Sequence, residues 1–80
     1  TMQKLTDKTL SDINQNCSAK IIAIDHEEWF INKAEALGVK INNIITVTHK
    51  NKKGPICVNI NTTSFMIRLS DANRIRVVEL

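Results

Sequence analysis

The two histidines and two cysteines of this chain offer the most chemistry, and their spacing decides how much of it is available. Ferrous sites favour imidazole and carboxylate ligands, which a helix delivers at i and i+3 or i+4. His26-Glu27 opens like the His-Glu-x-x-His motif of zinc peptidases, but Phe30 stands where the second histidine must be. The motif fails. His49 and Cys57 can approach one another across a hairpin, yet two ligands without a carboxylate make only a loose surface site. A nucleophilic cysteine needs a histidine or a helix N-terminus beside it to lower its thiol pKa, and neither Cys17 nor Cys57 has such a sequence neighbour. There is also no P-loop, no Gly-rich dinucleotide fingerprint and no pair of carboxylates on one face. The expectation is no enzyme, no cofactor and at most a weak transition-metal association.

Residues that could meet a macromolecule are more numerous. Lys50, Lys52 and Lys53 crowd one charged tip, where they either touch an acidic partner or phosphate or are simply solvated. Trp29 is either packing at the rim of the core or an interface anchor, since tryptophan buries much area at low entropic cost. Ile31 lies beside the same helix stripe as Trp29. Met66 is expected to face outward next to Arg68 and Cys57, as a minor apolar patch or as satellite packing. These six residues, Trp29, Ile31, Lys50, Lys52, Lys53 and Met66, are the candidate partner-binding set.

Length and composition bound what elements can position them. Eighty residues make one small domain, and 42% hydrophobic with 24% charged residues is ordinary globular composition. Eleven basic against eight acidic residues give +3, too small a surplus to mark nucleic-acid binding by itself. A small basic barrel binding nucleic acid is the alternative, weakened because Trp29, Phe30 and Phe65 are the only aromatic residues and the two phenylalanines point inward. The distant cysteines, with no CxxC pair and no secretory signal, fit free thiols in a reducing cytoplasm. Uninterrupted apolar runs reach four residues, against roughly 20 needed to span a bilayer, so no membrane insertion is expected.

Along the chain, Thr1 to Lys8 has no clear period and reads as a flexible arm or cloning remnant, leaving 9–80 as the domain. Thr9 to Ile13 forms a short turn that tucks Leu10 and Ile13 into the core. Ala19 to Ile24 reads as a strand covered on most of both faces. Asp25 is placed as a helix N-cap with Glu28 as its capping-box partner; Phe30, Ala34 and Leu37 form the buried stripe, and Gly38 is the left-handed exit. Strands follow. Ile45 and Val47 point one way and Thr46 and Thr48 the other; Lys50 to Pro55 is the hairpin tip; Ile56, Val58 and Ile60 return inward. Phe65, Ile67 and Leu69 continue that face, Ser70 to Asn73 is a capped helical turn, and Ile75 to Leu80 is the last strand. Five short strands in so few residues suggest a closed barrel, since closure removes exposed edges.

Taken in order, Thr9-Leu10-Ser11 with Ile13, Ala19 and Ile21, then Leu37-Gly38-Val39, Gly54-Pro55-Ile56, and Ile67-Arg68 with Ala72 and Ile75 resemble the FeoA family, small ferrous iron transport proteins. The resemblance covers Thr9 to Val78. It implies a mainly β fold, a small SH3-like β-barrel of about five strands with one α-helix inserted after the first. Where the family has glycine before strand one and Pro-Gly after the helix, this chain has Asn16 and Ile41-Asn42, and asparagine is the non-glycine residue that best tolerates positive φ. The family's arginine-rich helix start is replaced by Glu27-Glu28-Trp29-Phe30. The resemblance further implies a non-catalytic, cytoplasmic accessory protein that binds the GTP-binding domain of the FeoB transporter. Similar domains are fused to iron-dependent repressors of the DtxR type; this chain, with no DNA-binding helix pair, resembles the stand-alone version. A FeoA-like domain that binds metal directly is a further alternative.

Overall fold

The structure, a computed structural model, describes residues 8–80. Of the expected arm, only Lys8 lies within the described residues. Its carbonyl accepts from the Val77 N–H, and its ammonium meets the Glu79 carboxylate at 2.6 Å.

After a 3-10 turn at Leu10–Asp12, the chain forms β1 (Cys17–Ile24), helix α1 (Glu28–Ala36), β2 (Ile44–His49), β3 (Ile56–Ile60), β4 (Thr63–Ile67), a single helical turn α2 (Leu69–Ala72) and β5 (Ile75–Glu79). The strands make one antiparallel sheet in the order β4-β3-β2-β1-β5. The mainly β architecture, the five strands and the main helix after the first strand are those the sequence implied. Closure differs: among the described residues no ladder joins β4 to β5. The two outer strands are instead connected through α2, whose Asn73 end accepts a hydrogen bond from Ser11 of the 3-10 turn.

Period-two burial does the positioning. Ile45, Val47, Ile56, Val58, Ile75 and Val77 are fully buried on the concave face, as alternation requires of a sheet wrapped around one core. Leu10 and Ile13 close one end of that core. β1 alternates as well, so the expectation of burial on both faces is corrected: Ala19 and Ile21 are buried, whereas Lys20 and Ile22 are exposed. The run of apolar residues at 21–24 concealed a register shift between Ile21 and Ala23 against β5. A second shift, between Val47 and His49 against β3, bends the sheet again.

Turns fall where the sequence put asparagine. Asn16, Asn42 and Asn61 have φ of 70°, 79° and 58°, and Gly38 has φ 98° at the helix exit. Both asparagines standing in for family glycines thus adopt the left-handed conformation. The helix start is corrected: its N-cap is Glu27, no side chain caps it, and Asp25 lies outside, its N–H donating to the Arg74 carbonyl. Leu37, expected in the buried stripe, is the C-cap and is exposed. Arg68 precedes α2 as N-cap, and no side chain caps that turn either.

Candidate partner-docking groove

His26 lies just before α1, and the turn into the helix folds its ring onto Phe30, with centroids 3.9 Å apart and planes 15° from parallel. The Glu27 N–H donates to Nδ1 over 2.8 Å. That leaves Nε2 to carry the proton, which it donates to Oδ1 of Asp71 at 2.8 Å. Asp71 is the one buried charged side chain among the described residues, and its other oxygen faces Arg68 Nε at 3.4 Å. Burial pushes the Asp71 carboxyl up, but the His26 hydrogen bond and the Arg68 guanidinium together outweigh it and hold the group below its ordinary range. The cluster fastens the start of α1 to α2 and to the end of β4.

Trp29 and Phe30 meet edge to face, with centroids 5.9 Å apart. The Trp29 indole N–H donates to the Glu27 carboxylate at 2.6 Å, so the ring is oriented although more than half of it is exposed. Beside it runs a groove of about 260 Å³. Trp29, Lys33 and Leu37 of the helix segment form one wall; Phe65, Met66 and Ile67 of β4, with Arg68, form the other. Trp29, Leu37 and Met66 leave 54%, 41% and 60% of their surfaces exposed. Oriented aromatic and thioether side chains around a small apolar trough are interface chemistry.

The six candidate residues separate into three places. Trp29 and Met66 share the groove. Ile31 is half-buried on another side of α1, near Ile24 and Ile41. Lys50 and Lys52 line a polar hollow with Ser11 and Asn73, away from the groove. Lys50 is held there, its ammonium donating to the Ile13 carbonyl at 3.0 Å, whereas Lys52 and Lys53 are exposed. Lys33, Leu37 and Arg68 belong to the groove although none was in the candidate partner-binding set; the helical spacing of Trp29, Lys33 and Leu37 is the signal that could have found the first two.

For metal, His26 has both ring nitrogens engaged. His49 and Cys57 are register partners on β2 and β3, so they do approach as expected. Among the described residues no group of three or more His, Cys, Asp or Glu could hold a metal ion. Both cysteines are free. No described helix is long and apolar enough to cross a membrane.

Comparison with known proteins decides the family. The FeoA domain family model matches residues 8–79. The chain belongs to the FeoA domain family. The crystal structure of an iron uptake regulatory protein, FeoA, superimposes with a TM-score of 0.85 at 22% identity, covering 91% of this chain and 97% of that one. The FeoA protein of Chlorobium tepidum gives 0.84 at 24% identity over 91% and 70% of the two chains. Stenotrophomonas maltophilia FeoA complexed with zinc, a procaryotic SH3 domain protein, gives 0.75 at 25% identity over 88% of each. The fold of this FeoA-family chain is therefore SH3-like. The same fold is found within a longer protein: a manganese-dependent transcriptional repressor superimposes with a TM-score of 0.80 at 19% identity, over 91% of this chain and 41% of that one. Comparison with curated proteins finds no significant match.

Proposed function

We infer that this protein is a non-catalytic accessory factor of bacterial ferrous iron uptake, which binds the cytoplasmic GTP-binding domain of a FeoB-type transporter and modulates transport. The observation that carries the reading is the FeoA family match across residues 8–79. It is supported by the Stenotrophomonas maltophilia relative, itself offered as a candidate bacterial ferrous iron transport activating factor. The Trp29–Met66 groove supplies a surface suited to docking, because an oriented tryptophan at the edge of an apolar trough loses little side-chain entropy when covered. The lysine tip at Lys52 and Lys53 adds weak steering toward acidic surfaces.

The test is isothermal calorimetry with the purified FeoB GTP-binding domain in its nucleotide-free, GDP-bound and GTP-analogue-bound forms. Saturable heat is expected in at least one form, weakened by Trp29→Ala. Absence of heat in all three would remove the reading.

A further inference from the structure

The groove carries more than an apolar surface, because of how β4 meets it. Successive side chains of a strand point to opposite faces of a sheet. A groove touching Phe65, Met66, Ile67 and Arg68 in succession therefore runs along the edge of the strand rather than over one face. The inner edge of β4 is taken by β3, with Cys57 opposite Met66 and Ile60 opposite Thr63. The Cys57 carbonyl accepts from the Thr48 hydroxyl on β2, so it faces away from β4. Cys57 and Met66 thus form a non-hydrogen-bonded pair, and the N–H and C=O of Met66 face the open edge. The same alternation turns those of Ser64 outward.

The other outer strand is treated differently. β5 has its edge covered by Lys8 and Thr9, through a bridge from Thr9 to Arg76 and the Val77 N–H bonding to the Lys8 carbonyl. Among the described residues nothing pairs with the far edge of β4, and the strand has neither a proline nor a bulge to blunt it. Along the trough stand Lys33, which has no partner among the described residues, and Arg68, three-quarters exposed and holding one long bond to Asp71. Against these two cations the groove presents one carboxylate, Asp71, buried and already bonded to His26 and Arg68. At about 260 Å³ the groove is below the roughly 300–1,000 Å³ of an enclosed small-molecule pocket.

We propose that the open edge of β4 binds an extended, acidic segment of a partner protein as a sixth strand, lying between β4 and α1. Its backbone pairs with Ser64 and Met66, alternate apolar side chains lie against Trp29 and Leu37, and a carboxylate meets Lys33 or Arg68. The proposal goes beyond transporter docking and holds whichever protein supplies the strand.

The probe is a synthetic heptapeptide of alternating valine and acidic residues, titrated while following the emission of Trp29, the chain's single tryptophan, and the amide spectrum by NMR. A saturable emission change with amide shifts along β4 is expected, weakening as salt rises. A peptide N-methylated on the amides facing β4 should bind about tenfold more weakly, the loss of a hydrogen bond or so. Met66→Pro removes the outward donor at a site where an edge strand tolerates proline and should do the same, while Met66→Leu retains binding. If Met66→Pro fails to fold, the N-methylated peptide still decides. Equal affinity for the N-methylated peptide, tighter binding of a lysine-for-acid or a polyproline peptide, or shifts confined to residues away from β4 would each overturn the proposal. So would a stable dimer in sedimentation whose edge pairing excludes the peptide, which would assign the edge to a second copy.

Discussion

His26 Nε2 donates to Asp71 Oδ1 at 2.8 Å across 45 positions of sequence, and both side chains are almost fully enclosed. This contact joins the residue before the helix start to the turn between the last two strands, and the His26 ring it holds meets Trp29 edge to face at the groove wall. Removing His26 takes the imidazole donor from Asp71 Oδ1, and removing Asp71 leaves the enclosed His26 Nε2 without its acceptor. His26→Ala and Asp71→Ala should each cost about 2 kcal/mol in urea unfolding. A double-mutant cycle should return a coupling of roughly 1 kcal/mol or more. Strict additivity would mean the contact is not energetically real.

Acid titration reports the same group. Although burial pushes the carboxyl up, the His26 bond and the Arg68 charge hold Asp71 below its ordinary 3.8. A carboxyl lowered in the folded state contributes stability that is full above its unfolded pKa and lost as pH falls through its folded one. The contribution is therefore intact at neutral pH and is lost progressively as pH falls below the ordinary 3.8. Asp71→Asn should be less stable than the parent at pH 6 and should flatten the acid limb of the stability curve. An unchanged acid limb would show that other carboxylates set it.

Much of this molecule was legible from alternation and turn chemistry. Ile45, Val47, Ile56, Val58 and Ile60 face inward as their spacing demands, and Asn16 and Asn42 take positive φ where glycine was missing. What failed was local and has a cause. The apolar run at 21–24 hid a register shift that leaves Ile22 half out, and Asp25 lost the cap position because its backbone is committed to Arg74. The groove was half visible, in Trp29 and Met66. Its third party, the His26–Asp71 pair, was not, because no local periodicity or motif links a histidine before the helix to an aspartate 45 positions on.

Backbone geometry makes a separate forecast. Gly38 has φ 98°, and a Cβ there would lie 3.0 Å from the Ile60 Cγ2. Gly38→Ala should cost about 1–2 kcal/mol from the left-handed conformation alone, with the contact adding to it. Asn42→Gly should be close to neutral, whereas Asn42→Val should cost a similar 1–2 kcal/mol. Thermal or urea unfolding distinguishes them, and equal tolerance of glycine and valine at 42 would contradict the assigned φ.

Metal titration separates the two histidines. Both nitrogens of His26 are bonded, so His26→Gln should leave any Zn²⁺ or Fe²⁺ binding unchanged, while His49→Ala should abolish what weak binding His49 and Cys57 provide. Calorimetry on the two variants checks this. Loss of a stoichiometric site in the His26 variant would mean that the ring leaves Asp71 to ligate metal.

Site-specific photocrosslinking against the intact FeoB-type transporter tests the central claim most directly, with the crosslinker placed in turn at Trp29, Met66 and Lys52. The account predicts adducts with the transporter's GTP-binding domain from Trp29 and Met66, and few or none from Lys52. Adducts from Lys52 alone would move docking to the lysine tip, and no adduct from any position would contradict the transporter as partner.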